Sequence, residues 1–240
     1  YFDFSGYIDM AMGAALLLNI QLPINFDSPY KALDIQSFWR KWHITLGRFL
    51  REHVYIPLGG DRKGNWNLFF CLMITFLIGG LWHGASWTFV FWGLLHGIAV
   101  AINRVWQQFG FRLNKLIAWF ITFNFLNVTW IFFRATEFND AFAIIKGMLG
   151  FNGVLLPTAI ASRISFLNQY GASFSEVGLD ISAAYWILLS FLVVCFMKNS
   201  TELKDKFTSI PILSPVLAFI VMWVIVHKLG VFNDFIYFNF

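Results

Sequence analysis

Residues 64–103 decide the fold: they read GNWNLFFCLMITFLIGGLWHGASWTFVFWGLLHGIAVAIN and contain no Asp, Glu, Lys or Arg. A helix that crosses a bilayer needs about 20 mostly apolar residues, so this run is too long for one span and just long enough for two. Its middle, residues 79–86, combines three glycines with His83 and Ser86, which is typical of a break between helices. The run therefore predicts a helical hairpin, re-entrant or short and membrane-spanning, with His83 at its tip.

The charges around this run predict its orientation. Basic residues stand before and after it: Arg62, Lys63, Arg104 and Arg112. By the positive-inside rule, both ends of the hairpin belong on the cytoplasmic side. Irregular backbone at membrane depth must be buried in protein or line a watery cavity, so His83 is expected to face one of these rather than lipid.

The whole chain has the composition of a membrane protein. Of its 240 residues, 58% are hydrophobic and 12% are charged, which is about half the charge of a typical soluble domain. Further charge-free runs cover residues 10–26, 116–133, 181–197 and 207–227. We therefore predict an all-α, polytopic integral membrane protein whose residues 1–240 form one transmembrane domain.

The same patterns assign the other segments. A first helix over 4–20 contains small residues that favour close helix packing, and also Asp9, which is expected to face protein or water. Spans are predicted at 116–133, 183–197 and 212–229, with a cytoplasmic loop at Lys198–Lys206 and short interfacial or external helices within 135–180. Because the chain starts at Tyr1 without a Met or a signal peptide, we expect it to be the C-terminal part of a longer protein.

The net charge of +4 is carried by one segment. Residues 40–63 contain six Arg or Lys and two acidic residues, whereas the rest of the chain is balanced. On a helical wheel, residues 35–55 place Arg40, Arg48 and Arg51 on one face and Trp, Leu and Phe side chains on the other, which predicts an amphipathic helix at the membrane interface. Membrane topology thus explains the basic balance, and nucleic acid is not expected as a partner.

The five histidines differ in what their positions predict. His83 is an ionisable residue inside a membrane segment, which indicates function, and histidine is the usual general base near neutral pH. His43 lies at the margin of the apolar face, where both an interfacial and a functional role stay open, and His53, His96 and His227 are read as structural. No histidine pair has metal-ligand spacing, so no metal is expected. Cys71 and Cys195 lie in apolar runs and are read as buried fillers. These observations leave an enzyme and a transporter equally open.

Five short motifs carry a resemblance to a known family. They are YFDFSGYIDMA at 1–11, Asn25–Phe26 with Pro29–Tyr30, FWRKWHITL at 38–46, YIPLGG at 55–60 and GGLWHGA at 79–85. In this order they resemble the membrane-bound O-acyltransferases of bacteria, in the branch that includes the alginate O-acetylation protein and the D-alanyl transfer protein of teichoic acid. Two positions depart from the family pattern: Glu52–His53 stands where Asp-Tyr is usual, and Ile8 stands where a small hydroxyl residue is common.

The resemblance implies a fold, a site and an activity. It implies a helical bundle in the bacterial inner membrane, of which this chain lacks the N-terminal helices, and it maps two catalytic histidines to His83 and His43. The implied reaction passes an acyl group, foremost acetyl, from a cytoplasmic thioester such as acetyl-coenzyme A to an exported polysaccharide. An exported acyltransferase is the implied partner, and the donor is a substrate rather than a tightly bound cofactor. A transporter or flippase with His83 in its path, and a membrane scaffold, are the alternatives.

Overall fold

The computed structural model describes residues 1–62, 64–157, 166, 172–175, 181–207, 216, 219, 220 and 223, and it is predominantly helical. The helices of the first half are α1 (Phe2–Leu17), α2 (Ile35–Trp39), α3 (Ile44–Leu50), α4 (Asn65–His83) and α5 (Trp87–Gln108). They are followed by α6 (Lys115–Arg134), α7 (Phe138–Met148), α8 (Ile181–Phe196) and α9 (Ser200–Phe207). Two short strands, β1 (Val154–Pro157) and β2 (Ala172–Ser175), pair in parallel. The prediction of an all-α membrane fold is confirmed, with this small ladder as an addition.

The predicted hairpin is formed by α4 and α5, and His83 is the last residue of α4. Two glycines allow the two helices to approach closely. A Cβ atom on Gly80 would lie 2.3 Å from the Phe89 carbonyl oxygen, and one on Gly93 would lie 2.3 Å from the Phe76 carbonyl oxygen. Both helices, and α6 after them, are long and apolar enough to cross a membrane. The predicted span at 116–133 is thereby confirmed as well.

The basic segment is not the single amphipathic helix predicted for residues 35–55. It is divided into α2, α3 and a π-helical turn at Arg51–Tyr55, and His43 stands at the break in a left-handed conformation with φ 44° and ψ 55°. The cause is a long-range contact: the Asn25 carbonyl accepts from the Ile44 N–H, and the Asn25 side chain accepts from Thr45. These bonds satisfy the first amides of α3, so a new helix begins there.

The second half of the basic segment runs antiparallel to α4. A Cβ atom on Gly79 would lie 3.2 Å from Leu50 Cδ1 near the tip of the hairpin. Farther down, the Asn67 side chain donates to the Gly60 carbonyl at 3.0 Å. On the other side, Phe26, Phe38 and Trp42 are buried in the main hydrophobic cluster. The apolar face of the segment therefore packs on protein.

The N-terminal helix differs from its prediction in extent and in packing. It ends at Leu17 rather than near residue 20, and against the described residues none of its side chains is buried and an added Cβ atom on Gly6 or Gly13 would meet nothing within 4 Å. The close packing expected from its small residues is therefore not present among the described residues. Asp9 does face protein, since it accepts a hydrogen bond from Ser200 at 2.9 Å.

The C-terminal half is described in part. The span predicted at 183–197 corresponds to α8, and α7 is one of the short helices expected within 135–180. Lys198–Lys206 was predicted to be a loop, but α9 begins there because the Asn199 side chain accepts from the Glu202 N–H at 2.8 Å and caps the helix. The span predicted at 212–229 lies mostly outside the described residues, and His227 lies outside them too.

Candidate active site

His83 lies at the tip of the hairpin in an aromatic surrounding. Its ring centroid is 4.9 Å from that of Trp82, 5.2 Å from Trp92 and 4.9 Å from Phe133. The imidazole is half-buried, and no hydrogen bond to it is formed by any residue that the structure describes. Its nitrogens are therefore available to a bound molecule.

His43 reaches the same place from the other direction. Its ring contacts Trp82 edge-on at 5.9 Å and Phe4 of α1 at 4.9 Å. Trp82 thus touches both histidines that the sequence singled out. Burial lowers the pKa of His43 from its ordinary 6.5 to about 4, so this ring is neutral at pH 7 and can donate or accept one hydrogen bond.

A cavity of about 500 Å³ extends from His83 along the hairpin. On α5 it is lined from Trp92 to Arg104, a distance of about 18 Å along the helix axis. Its apolar wall is completed by side chains of three other helices: Trp39, Leu46, Leu50, Leu72 and Phe76. His43 is not among the lining residues, although its neighbour Ile44 is. The cavity is therefore the space that His83 faces.

The cavity lining is rich in cations. Arg40, Arg48 and Arg51 are exposed residues that line it, and Glu52 is the one carboxylate among its described lining residues. At the far end, the Tyr55 hydroxyl and the Nε of Arg104 are buried, and neither has a hydrogen-bond partner among the residues that the structure describes. Burial, followed by the charge of Asp61, raises the pKa of Tyr55, so the phenol remains a donor at neutral pH. An anionic group fits this end, because it would accept hydrogen bonds from both side chains.

The other candidate residues fall outside this arrangement. His53 is exposed and stacks on Phe49 at 4.5 Å, and His96 is completely buried within the hairpin packing. Cys71 is buried and Cys195 half-buried. In the part of the chain that the structure describes, no group of three or more His, Cys, Asp or Glu side chains could hold a metal ion.

Sequence reasoning missed most of the cavity wall. Arg104 was read only as a charge flanking the hairpin, and Trp39 only as part of an apolar face. Nothing in the sequence pattern says that the apolar face that contains Trp39 meets the end of the hairpin that carries Arg104. The packing of α2 on α5 brings them to one cavity.

The part of the chain that contains the motifs of His43 and His83 is similar to known proteins. The model of the membrane-bound O-acyltransferase family matches residues 1–139. A peptidoglycan O-acetyltransferase of Helicobacter pylori is 48% identical over 212 residues, which are 86% of this chain and 40% of that protein. The probable alginate O-acetylase AlgI of Pseudomonas aeruginosa is 36% identical, over 85% of this chain and 38% of its own length. A teichoic acid D-alanyltransferase of Streptococcus thermophilus is 32% identical over 48% of this chain and 29% of its own. This chain thus spans about two fifths of the length of the first two relatives.

Proposed function

The chain belongs to the membrane-bound O-acyltransferase family, and from that premise we propose that the whole protein is a multi-pass acyltransferase of the bacterial inner membrane. It transfers an acyl group, foremost acetyl, from a cytoplasmic thioester to a hydroxyl group outside the membrane. The names of its relatives mention peptidoglycan, alginate and teichoic acid, which are all cell-surface polymers. We accordingly propose an exported polysaccharide as the final acceptor, reached directly or through an exported partner acyltransferase.

One observation carries this proposal: a single cavity connects His83 with Arg104 and Tyr55. A thioester donor such as acetyl-coenzyme A joins an anionic phosphate portion to a long, largely uncharged arm that ends in the reactive sulfur. The end of the cavity at Arg104 suits the phosphates, the apolar wall suits the arm, and His83 then lies beside the thioester. The donor is a substrate in this scheme and needs no tightly bound cofactor.

In the proposed reaction His83 is the general base. Its neutral imidazole takes the proton of the acceptor hydroxyl while the hydroxyl oxygen attacks the thioester carbonyl carbon. The new C–O ester bond forms, the C–S bond breaks, and the leaving thiolate takes the proton from the imidazolium. His43 assists by hydrogen bonding, either to the acceptor or to the thioester carbonyl, and its lowered pKa keeps it neutral for that role.

The test is a His83→Ala variant of the full-length protein. We expect transfer to fall by about 10² to 10⁴, the usual contribution of a general base, while the amount of protein in the membrane is unchanged. His53→Ala is the matched control, because His53 is exposed and outside the cavity. Wild-type transfer by His83→Ala would refute the assignment, and a parallel loss of protein abundance would indicate a structural role instead.

His43 needs a different substitution because of its backbone. At φ 44° an Ala would be strained, whereas Asn tolerates the left-handed region. If the imidazole itself assists transfer, His43→Asn loses activity and His43→Gly, which is also unstrained, loses it equally. Wild-type activity in both variants would mean that only the backbone conformation at this position matters.

Transfer by the purified protein distinguishes an enzyme from a transporter. Acetyl-coenzyme A is consumed and an O-acetyl ester appears if the protein is an acyltransferase. A transporter with His83 in its path consumes no thioester.

A further inference from the structure

His96 makes one hydrogen bond that joins two distant parts of the chain. The Trp39 indole Nε1–H donates to His96 Nδ1 at 3.1 Å across a separation of 57 residues. Trp39 is the last residue of α2, just before the break at which His43 stands, and His96 lies in the middle of α5. Because Nδ1 accepts, the proton of this neutral imidazole resides on Nε2.

The position of His96 is not explained by packing alone. The side chain is 0% exposed, and its Nε2 is buried with no hydrogen-bond partner in the described part of the chain. Rings of Phe76, Trp92 and Phe125 surround it, at centroid distances of 6.3, 4.7 and 5.4 Å. An aliphatic or phenyl side chain would suit such a site without burying an unpaired N–H. An apolar side chain could fill the space of His96, but it could not accept the hydrogen bond that Nδ1 accepts from Trp39.

The hydrogen bond from Trp39 to His96 fixes a side chain that forms part of the cavity wall. Trp39 and Trp92 both line the cavity and contact each other at 5.7 Å, while Trp92 contacts His83 at 5.2 Å. Phe76 lies at the level of Gly93, so this aromatic layer is about 10 Å from His83 along α4, on the way to Arg104. Any molecule that extends from Arg104 to His83 passes the layer.

We propose that His96 is a positioning residue for the acyl donor: its Nδ1 holds the Trp39 indole in place as a wall against the donor arm and thereby strengthens donor binding. This inference rests on the proposed function. It assigns a role to His96, which does not line the cavity and acts through its hydrogen bond to Trp39. Trp39 is the last residue of a five-residue helix, and the hydrogen bond to His96 ties its indole to the long helix α5. The bond thus acts on donor binding more than on the chemical step.

The experiment uses the purified full-length protein with acetyl-coenzyme A and compares His96→Asn with His96→Leu. The two substitutes have nearly the same shape, but only the Asn side-chain oxygen can accept from the Trp39 indole. We expect His96→Leu to raise KM for acetyl-coenzyme A about tenfold with kcat retained, and His96→Asn to stay within about threefold of wild type. Equal values for the two variants would overturn the proposal.

Trp39→Phe removes the donor side of the same bond and tests it without altering His96. It should match His96→Leu, and the double variant should be no worse than either single one, because both remove one interaction. Trp119→Phe is the control: Trp119 also donates an indole hydrogen bond, to the Tyr30 carbonyl at 2.9 Å, but it does not line the cavity. Additive effects of the two cavity variants, or an equal rise in KM in Trp119→Phe, would contradict a positioning role.

A binding measurement separates this inference from the proposed function. If the wild-type protein binds acetyl-coenzyme A but transfers nothing, the proposed function fails while the positioning role is still measured as affinity. In that case the affinity should fall about tenfold in His96→Leu and not in His96→Asn. If the wild-type protein transfers acetyl and the two variants bind equally, the positioning role fails alone.

Discussion

The hairpin of α4 and α5 and the N-terminal helix α1 are alike in composition and different in packing. Both are apolar and both contain glycines. In the hairpin an added Cβ atom on Gly80 or Gly93 would overlap the backbone of the facing helix, whereas on Gly6 or Gly13 of α1 it would meet nothing within 4 Å among the residues that the structure describes. A glycine in an apolar helix therefore allows a second helix to pack closely, but close packing also requires a second helix of complementary shape at that position.

The two regions also treat polar groups differently. The hairpin buries Thr75, Thr88 and His96, and each of them has a hydrogen-bond partner. The polar contact of α1 is at its surface, where Asp9 is exposed and accepts from Ser200. A buried hydrogen bond is stronger than an exposed one, and its loss costs more free energy. We therefore expect substitutions in the hairpin to lower the free energy of unfolding more than substitutions in α1. Four measurements on the full-length protein test whether the hairpin contributes more to stability than α1 does.

Gly93→Val should have the largest effect. The added side chain would begin 2.3 Å from the Phe76 carbonyl oxygen, which is backbone and cannot rotate away. We expect a loss of about 3 kcal/mol or more in the free energy of unfolding, because overpacking here separates the helices. Thermal unfolding in detergent measures it, with Gly13→Val as the tolerated control. Equal destabilisation by both variants would remove the contrast.

Leu68→Ala should follow. Leu68 of α4 is 5% exposed and belongs to the main hydrophobic cluster, so its truncation leaves a cavity and costs about 2–4 kcal/mol. Leu17 at the end of α1 is 89% exposed, and Leu17→Ala should change stability by no more than about 0.5 kcal/mol. The same unfolding assay checks both, and a cost for Leu17→Ala near that of Leu68→Ala would show that α1 is packed in the full-length protein.

Lowering the pH should loosen the contact between the two regions. His43 packs on Phe4 of α1 and on Trp82 of α4, and burial lowers its pKa from 6.5 to about 4. A lowered folded-state pKa means that stability is fully present above pH 6.5 and is lost as the pH falls toward 4. Allowing for the water that reaches this half-buried ring, the loss is about 1–2 kcal/mol.

The measurement compares unfolding of the wild type with that of His43→Asn between pH 7 and pH 4. The variant should lack this part of the pH dependence, while His53→Asn should keep it. An unchanged slope in His43→Asn would assign the dependence to another group.

Ser86→Ala should have the smallest effect of the four. Ser86 caps α5 by accepting from the Thr88 N–H, and loss of such a cap costs about 1 kcal/mol. Ser200→Ala removes the exposed hydrogen bond to Asp9 and should cost about 0.5 kcal/mol or less. If Ser200→Ala costs more than Ser86→Ala in thermal unfolding, the surface contact of α1 is stronger than its exposure indicates.

Prediction from sequence succeeded where the pattern is local and long. The hairpin over 64–103, the span at 116–133 and the span at 183–197 were all predicted from apolar length, and each is a helix in the structure. Prediction was wrong where the start or end of a helix depends on one side chain, whether that residue is near or far along the chain. Asn25 ends the helix predicted for 35–55 by bonding to Ile44 and Thr45, and the Asn199 cap turns a predicted loop into α9.

The sequence alone determined the membrane class, the family resemblance and the two candidate histidines, His43 and His83, since these follow from composition, apolar length and short motifs. The tertiary structure decided the left-handed backbone of His43, the bond from Trp39 to His96, and the cavity that joins His83 to Arg104. The reason is physical. Apolar periodicity records which side of a helix avoids water, but which helices face one another depends on shape, on Gly80 and Gly93, and on hydrogen bonds between residues far apart in the chain.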